Sequence, residues 1–375
     1  MKKLLKILMA GTFLVLLLSA CSNANNPSES KKTEKAKPTE SALSALSNLK
    51  KLGDGVYSLD FEGDYFLDDL IESDSNNPST LMAYFLQEIE NWKTYKDNNS
   101  TLTIDVPIDF ACSSIAAKNS DAKGGQIYGR NFDWSNDCAI LMIHTKPYKG
   151  YESISTSCLE FLGLNRDWDP ATSQDHGAIA LAAIHVPMDG MNEKGLYVSV
   201  LVTDGNHETR QTTDKHDVVI TVAMRAILDK AASVDEAIKI LKSIDICSAH
   251  VTDNGSTGFH LAIADNEGKA VVVEWYNNIM YTKETPVVTN HYLTEGAIAA
   301  ATTASYVAHP GSLERYETLM TLKSSANSFN QEEIRNGLYS AKQDNTVWSV
   351  VYEPKNRRAT YYFRRDFTKP VVVEF

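Results

Sequence analysis

The β-rich runs of this chain come in neighbouring pairs joined by short turns, and that pairing constrains the fold more than any other feature. "TLTIDVPIDFACSSIAAK" alternates like a strand, Gly124-Gly125 supplies a turn, and "QIYGRNFDW" returns. "GAIALAAIHVP" and "GLYVSVLVT" lie either side of "MDGMNEK" and read as two more strands. "GFHLAIADNEGKAVVVEWYNN" carries its own Asn-Glu-Gly turn, and "NTVWSVVYEPKNRRATYYFRRDF" folds back over Pro-Lys-Asn. Between Asp217 and Ile246 two helices follow one another, "DVVITVAMRAILDKAA" and "SVDEAIKILKSI", the second opening with Ser233 and Glu236 at capping-box spacing. Short hairpin turns join antiparallel strands, because parallel neighbours need a long crossover. The expected class is α+β with antiparallel sheets, not an alternating βαβ fold.

The front of the chain is built differently. "MKKLLKILMAGTFLVLLLSACSN" has a basic start, a short apolar run and small residues before Cys21. That order predicts a signal peptide over residues 1–20. Leu-Ser-Ala-Cys has the form of a bacterial lipobox, so Cys21 is expected to carry a lipid and hold the protein to a membrane of the bacterial envelope, outside the cytoplasm. Residues 21–50, rich in Ser, Lys, Glu, Asn and Pro, read as a disordered tether. Residues 51–111 read as a helical front segment, from "YFLDDLIES" and the 3.6-residue stripe of "PSTLMAYFLQEIENW"; residues 112–375 would form the main domain.

Several function classes fall away. A formal net charge of −12 argues against a nucleic-acid partner. There is no glycine-rich phosphate loop, no Cys-x-x-Cys pair and no HExxH motif, so neither a nucleotide, another cofactor nor a structural metal is expected. Of the five cysteines, Cys138, Cys158 and Cys247 read as small buried hydrophobes; disulfides are permitted outside the cell, but a domain of this size does not need them.

Cys112 is different. It lies on one strand of the first hairpin, with Arg130 and Asp133 on the returning strand. A guanidinium beside a thiol stabilises the thiolate, so Arg130 is expected to depress the pKa of Cys112. A carboxylate would oppose that, and Asp133 is useful only if it holds a second positive group. The spacing ties none of the nine histidines to Cys112 as a base. A free α-amine on Cys112 itself could take the thiol proton, oriented by Asp133, if the Ala111–Cys112 bond were cut.

Cys-x-Ser-Ile followed by "YGRNFDW" resembles the choloylglycine hydrolase family of the N-terminal-nucleophile hydrolases, which includes bile salt hydrolases, penicillin V acylases and, more distantly, acid ceramidase. "DGMNEKGLYVSVL", "VVTN", "HPGSLERYETL" and "TVWSVVYEPKNRRATYYFR" resemble further family segments in the same order. The resemblance implies a four-layer αββα sandwich and cleavage of a small-molecule linear amide through a thioester. It implies Cys112 as nucleophile, Arg130 beside the thiolate and Asp133 on the α-amine. It also implies oxyanion donors at Asn192, through its backbone N–H, and at Asn290, through its side-chain amide, with Arg315 as a support. Taken alone, both asparagines read as turn residues. The front segment before Cys112 resembles the ceramidase-like members, and His291-Tyr292 after "VVTN" depart from the small residue and proline usual there.

Overall fold

In the computed structural model the described residues are 44–77, 80–81, 84–85, 111–121, 123–173, 177–203, 209–248, 258–302 and 309–375. The expected signal peptide, Cys21, most of the expected tether and much of the second expected front helix lie outside them.

Six strands form the sheet that carries Cys112. Ala111–Lys118 and Gln126–Asp133 pair as the predicted hairpin, with Lys118 opposite Gln126. Gly124 and Gly125, at φ +64° and +91°, make the turn that lets them meet. Thr346–Glu353 pairs with the second of these strands and returns through Arg358–Phe363 to Val371–Glu374, while Val287–Val288 flanks the first. The other sheet has nine strands. Val56–Glu62, Ile140–Lys146, Ser153–Cys158, Asp189–Asn192, Tyr197–Thr203, Gly258–Ala264 and Ala270–Tyr276 follow in that order between two edge strands, Lys50–Gly53 and Ile279–Glu284.

The two sheets face one another across a mixed interior. Thr156 donates to Tyr361, Trp348 and Tyr352 donate to Asp189, and Ser114 shares a hydrogen bond with Tyr197. Helices Ser312–Ser325 and Gln331–Ala341 cover the outside of the six-stranded sheet; Ile334 and Leu338 press on Gly129. Helix Ile220–Lys230 and the 3₁₀ segment Ala178–His185 cover the outside of the nine-stranded sheet. The fold is thus an α+β αββα sandwich. The helix pair forms as its capping signals predict: Ser233 caps Val234–Ser243 by accepting from the Glu236 N–H.

The structure corrects four expectations. The front segment is not wholly helical. Val56–Glu62 is a strand lying parallel to Ile140–Lys146, with Tyr57, Leu59 and Phe61 buried and Asp60 and Glu62 exposed, a period of two. Only Leu67–Glu72 matches the first expected helix. The expected tether does not extend to residue 50, since Ala45–Asn48 is a 3₁₀ turn and Lys50 already belongs to a strand. "GAIALAAIHVP" is 3₁₀-helical over Ala178–His185, all eight residues buried; its alanines lack the branched bulk that favours a pleated strand. Finally, Cys138 and Cys158 are joined in a disulfide at the open end of the hairpin formed by Ile140–Lys146 and Ser153–Cys158.

Candidate active site

Register places the thiol and the guanidinium together. Ser114 lies opposite Arg130, so Cys112, two residues away on the same face, is its diagonal neighbour. Both side chains point between the sheets. Arg130 Nη2 donates to Cys112 Sγ at 3.1 Å and to the Val200 carbonyl at 2.6 Å. Its Nε lies 3.7 Å from Asp189 Oδ2, and its guanidinium sits over the Phe132 ring. Arg130 is fully buried.

A second arginine approaches from the other face. Arg315, on helix Ser312–Ser325, donates to the Cys112 carbonyl, to Ser113 Oγ at 3.1 Å and to Asn290 Oδ1 at 3.0 Å. Asn290 Oδ1 also accepts the Cys112 N–H at 2.7 Å. The Asn290 N–H₂ group donates to the Val202 carbonyl at 2.7 Å, and the Asn290 backbone N–H to Ser312 Oγ. Asp133 stands opposite Ala111, at the bond that precedes the nucleophile. Thr346 Oγ1 donates to its Oδ1, while its buried Oδ2 has no hydrogen-bond partner among the described residues.

Of the six predicted residues, Cys112, Arg130, Asp133, Asn290 and Arg315 meet in one cluster. Asn192 does not join them. Its backbone N–H donates to the Leu196 carbonyl, its Oδ1 accepts from Lys194 and Leu196, and its Nδ2 donates to Leu228 and Ala231. Those bonds fold the turn after Asp189–Asn192 and tie it to helix Ile220–Lys230, so Asn192 is a turn residue here. Four further participants escape sequence reasoning: Asp189, Thr346, Ser312 and the carbonyls of strand Tyr197–Thr203. Asp189 lies inside the "DGMNEKGLYVSVL" segment, but nothing local in the sequence aims it at Arg130.

Arg130 acts on the Cys112 thiol in the expected direction, downward, but burial outweighs it and pushes the thiol up. Burial likewise raises the carboxyl of Asp133, against the pull of Arg315 and the Thr346 hydrogen bond. It raises Asp189 against Arg130. Among the described residues, one group of side chains has metal-ligand spacing, Cys138, Cys158 and Glu160, and its two sulfurs are spent on the disulfide.

A cysteine at the head of a strand, on an αββα sandwich, is the layout of an N-terminal-nucleophile hydrolase. The sequence profile described as acyl-coenzyme A:6-aminopenicillanic acid acyl-transferase matches residues 120–366. The chain belongs to that family. The matched span contains Arg130, Asp133, Asn290 and Arg315 and begins just after Cys112. A penicillin V acylase of Pectobacterium atrosepticum is 25% identical over 198 residues, 50% of this chain and 51% of that protein, so the chain spans about half the length of this relative. Among solved structures, a mutant conjugated bile acid hydrolase from Clostridium perfringens superposes with TM-score 0.48 at 16% identity, over 70% of this chain and 92% of that one. A penicillin V acylase from Agrobacterium tumefaciens gives 0.45 at 18% identity, over 70% and 84%.

Proposed function

We propose that this protein is a cysteine amidase that hydrolyses a linear, non-peptide amide after its own Ala111–Cys112 bond has been cut. The observation that carries the reading is the placement of Cys112: its sulfur on Arg130, its N–H on Asn290 and its carbonyl on Arg315. Those contacts fix all three groups of the residue that a new N-terminus would use. The family's description and the relative's name both support acyl chemistry.

In the first step Cys112 sulfur attacks the Ala111 carbonyl. The C–N bond breaks, the Cys112 nitrogen leaves with a proton as the new α-amine, and water hydrolyses the thioester to leave Ala111 with a carboxylate. In the second, the α-amine takes the thiol proton, with the unpartnered Oδ2 of Asp133 as its orienting partner. The sulfur attacks the substrate's acyl carbon. The side-chain N–H of Asn290 that Val202 does not take steadies the oxyanion, the substrate amine leaves with the proton, and water frees the acid. A preorganised donor of that kind is worth about 100- to 1000-fold in turnover. A lipid on Cys21 would hold the enzyme at the envelope surface.

Mass spectrometry of the mature protein tests the reading. The larger fragment should begin at Cys112, and the Cys112→Ala chain should stay whole. The processed protein should hydrolyse at least one member of a panel of N-acyl amino acids, bile salt conjugates, phenoxyacetyl amides and long-chain acyl amides. Correctly processed, folded protein that is inert across the panel would favour a binding lipoprotein instead.

A further inference from the structure

Arg130 is a buried cation with two acidic neighbours. Cys112 Sγ lies 3.1 Å from its Nη2, and Asp189 Oδ2 lies 3.7 Å from its Nε. Asp189 reaches it from the opposite sheet, on strand Asp189–Asn192. Two donors of the six-stranded sheet fix its carboxylate, Trp348 Nε1 on Oδ2 at 2.9 Å and Tyr352 Oη on Oδ1 at 2.6 Å. Asp189, Trp348, Tyr352 and Arg130 are all fully buried, so solvent does not screen them.

We propose that Asp189 is a positioning residue for Cys112, acting through Arg130: it holds the guanidinium in place and shares its charge with the sulfur. One cation divided between two anions serves each less well than it would serve either alone. Asp189 therefore keeps Arg130 paired in the resting enzyme, where a lone buried charge would be costly. It also sets how far Arg130 can pull the thiol toward thiolate. The other titratable groups facing this set are Tyr197 beside Arg130, Tyr361 beside Tyr352 and Asp189, and Asp133 and Arg315 beside Cys112. Among the described residues Arg130 donates no hydrogen bond to a carboxylate, so Asp189 acts on it through charge.

The inference rests on Cys112 being the reactive thiol, so its test reads alkylation rather than turnover. In the processed full chain, the rate of iodoacetamide alkylation at Cys112 is measured against pH, with site occupancy read by peptide mass. Asp189→Asn removes the competing anion. The midpoint of its profile should move down by about one pH unit, within the range an added or removed neighbouring charge produces. Tyr352→Phe removes one donor that keeps Asp189 ionised and should shift the midpoint the same way by less; it keeps the test available if Asp189→Asn does not fold. Arg130→Gln should shift it up. Profiles of Asp189→Asn or Tyr352→Phe that coincide with wild type, even with a lower melting temperature, would reduce Asp189 to a packing role and overturn the proposal. An enzyme that hydrolyses no amide but still shows the predicted shifts would sink the amidase reading and leave this one standing.

Discussion

At the scale of the residue, Asp133 depends on a single hydroxyl. Thr346 is its hydrogen-bond donor among the described residues, and burial already raises the Asp133 pKa. Thr346→Val should leave a buried carboxylate oxygen bare, at a cost of about 1–3 kcal/mol. It should also raise that pKa further, because a hydrogen bond to the ionised form is lost. The proposed mechanism needs Asp133 as carboxylate. The acid limb of the activity profile should therefore move to higher pH in Thr346→Val and return in Thr346→Ser. A pH–rate profile of the three proteins checks this, and an unmoved limb would detach Thr346 from the site. Much of this site is legible in the amino-acid sequence. Cys112, Arg130 and Asp133 share one hairpin, so alternation and turn position are enough to bring them together. Thr346 and Asp189 come from strands distant in sequence, and only the register of the assembled sheets makes them neighbours. Asn192 shows the opposite failure: a motif match suggests chemistry where the backbone N–H and the side chain are spent on a turn and on the end of helix Ile220–Lys230.

At the scale of the element, the 3₁₀ segment Ala178–His185 has a titratable seam. His185 stacks on Phe85 with ring centroids 5.0 Å apart and meets Tyr65 edge-on at 5.4 Å, so it touches two parts of the front segment. Burial, with Arg225 nearby, lowers its pKa from 6.5 to about 3. A depressed histidine stays neutral when folded but is protonated when unfolded. Its stabilisation is thus complete above pH 6.5 and is lost as pH falls toward 3, by roughly 1.4 kcal/mol for each pH unit. His291, lowered to about 4, acts in the same sense. His185→Phe should flatten the fall of melting temperature as the pH drops from neutral into that window. Comparing variant with wild type isolates the histidine, since the raised buried aspartates act in the opposite sense. Equal slopes would mean that His185 is protonated without difficulty in the folded state. A helical reading of the front passes over the plain period of two in "YSLDFE", which is the strand that leads into Tyr65.

At the scale of the molecule, the front segment is part of the body. Strand Val56–Glu62 pairs along its whole length with Ile140–Lys146, and Tyr65 donates to the buried carboxylate of Asp229, itself held by Arg225. A cut at Ala111–Cys112 should therefore yield two pieces that stay together through native size-exclusion chromatography and separate only in denaturant. Recovery of the Cys112 fragment alone, still folded and active, would contradict that role for the front strand. The pairing of runs into hairpins leads correctly to the α+β class. The one parallel pair in the large sheet escapes it, because its strands lie on either side of the Cys112 hairpin and no local turn joins them.

That shared sheet has a thermodynamic consequence. The disulfide between Cys138 and Cys158 lies wholly on the Cys112 side of the proposed cut, so it does not bridge the two pieces. Before cutting, unfolding is a first-order event with one chain on each side of the equilibrium. After it, the unfolded state is two separate molecules, and their return is a bimolecular encounter. The melting temperature of the cut enzyme should then rise with protein concentration, as it does for any obligate complex. A molecule matured this way folds once as a monomer and afterwards persists as a heterodimer that dilution alone can prevent from reforming.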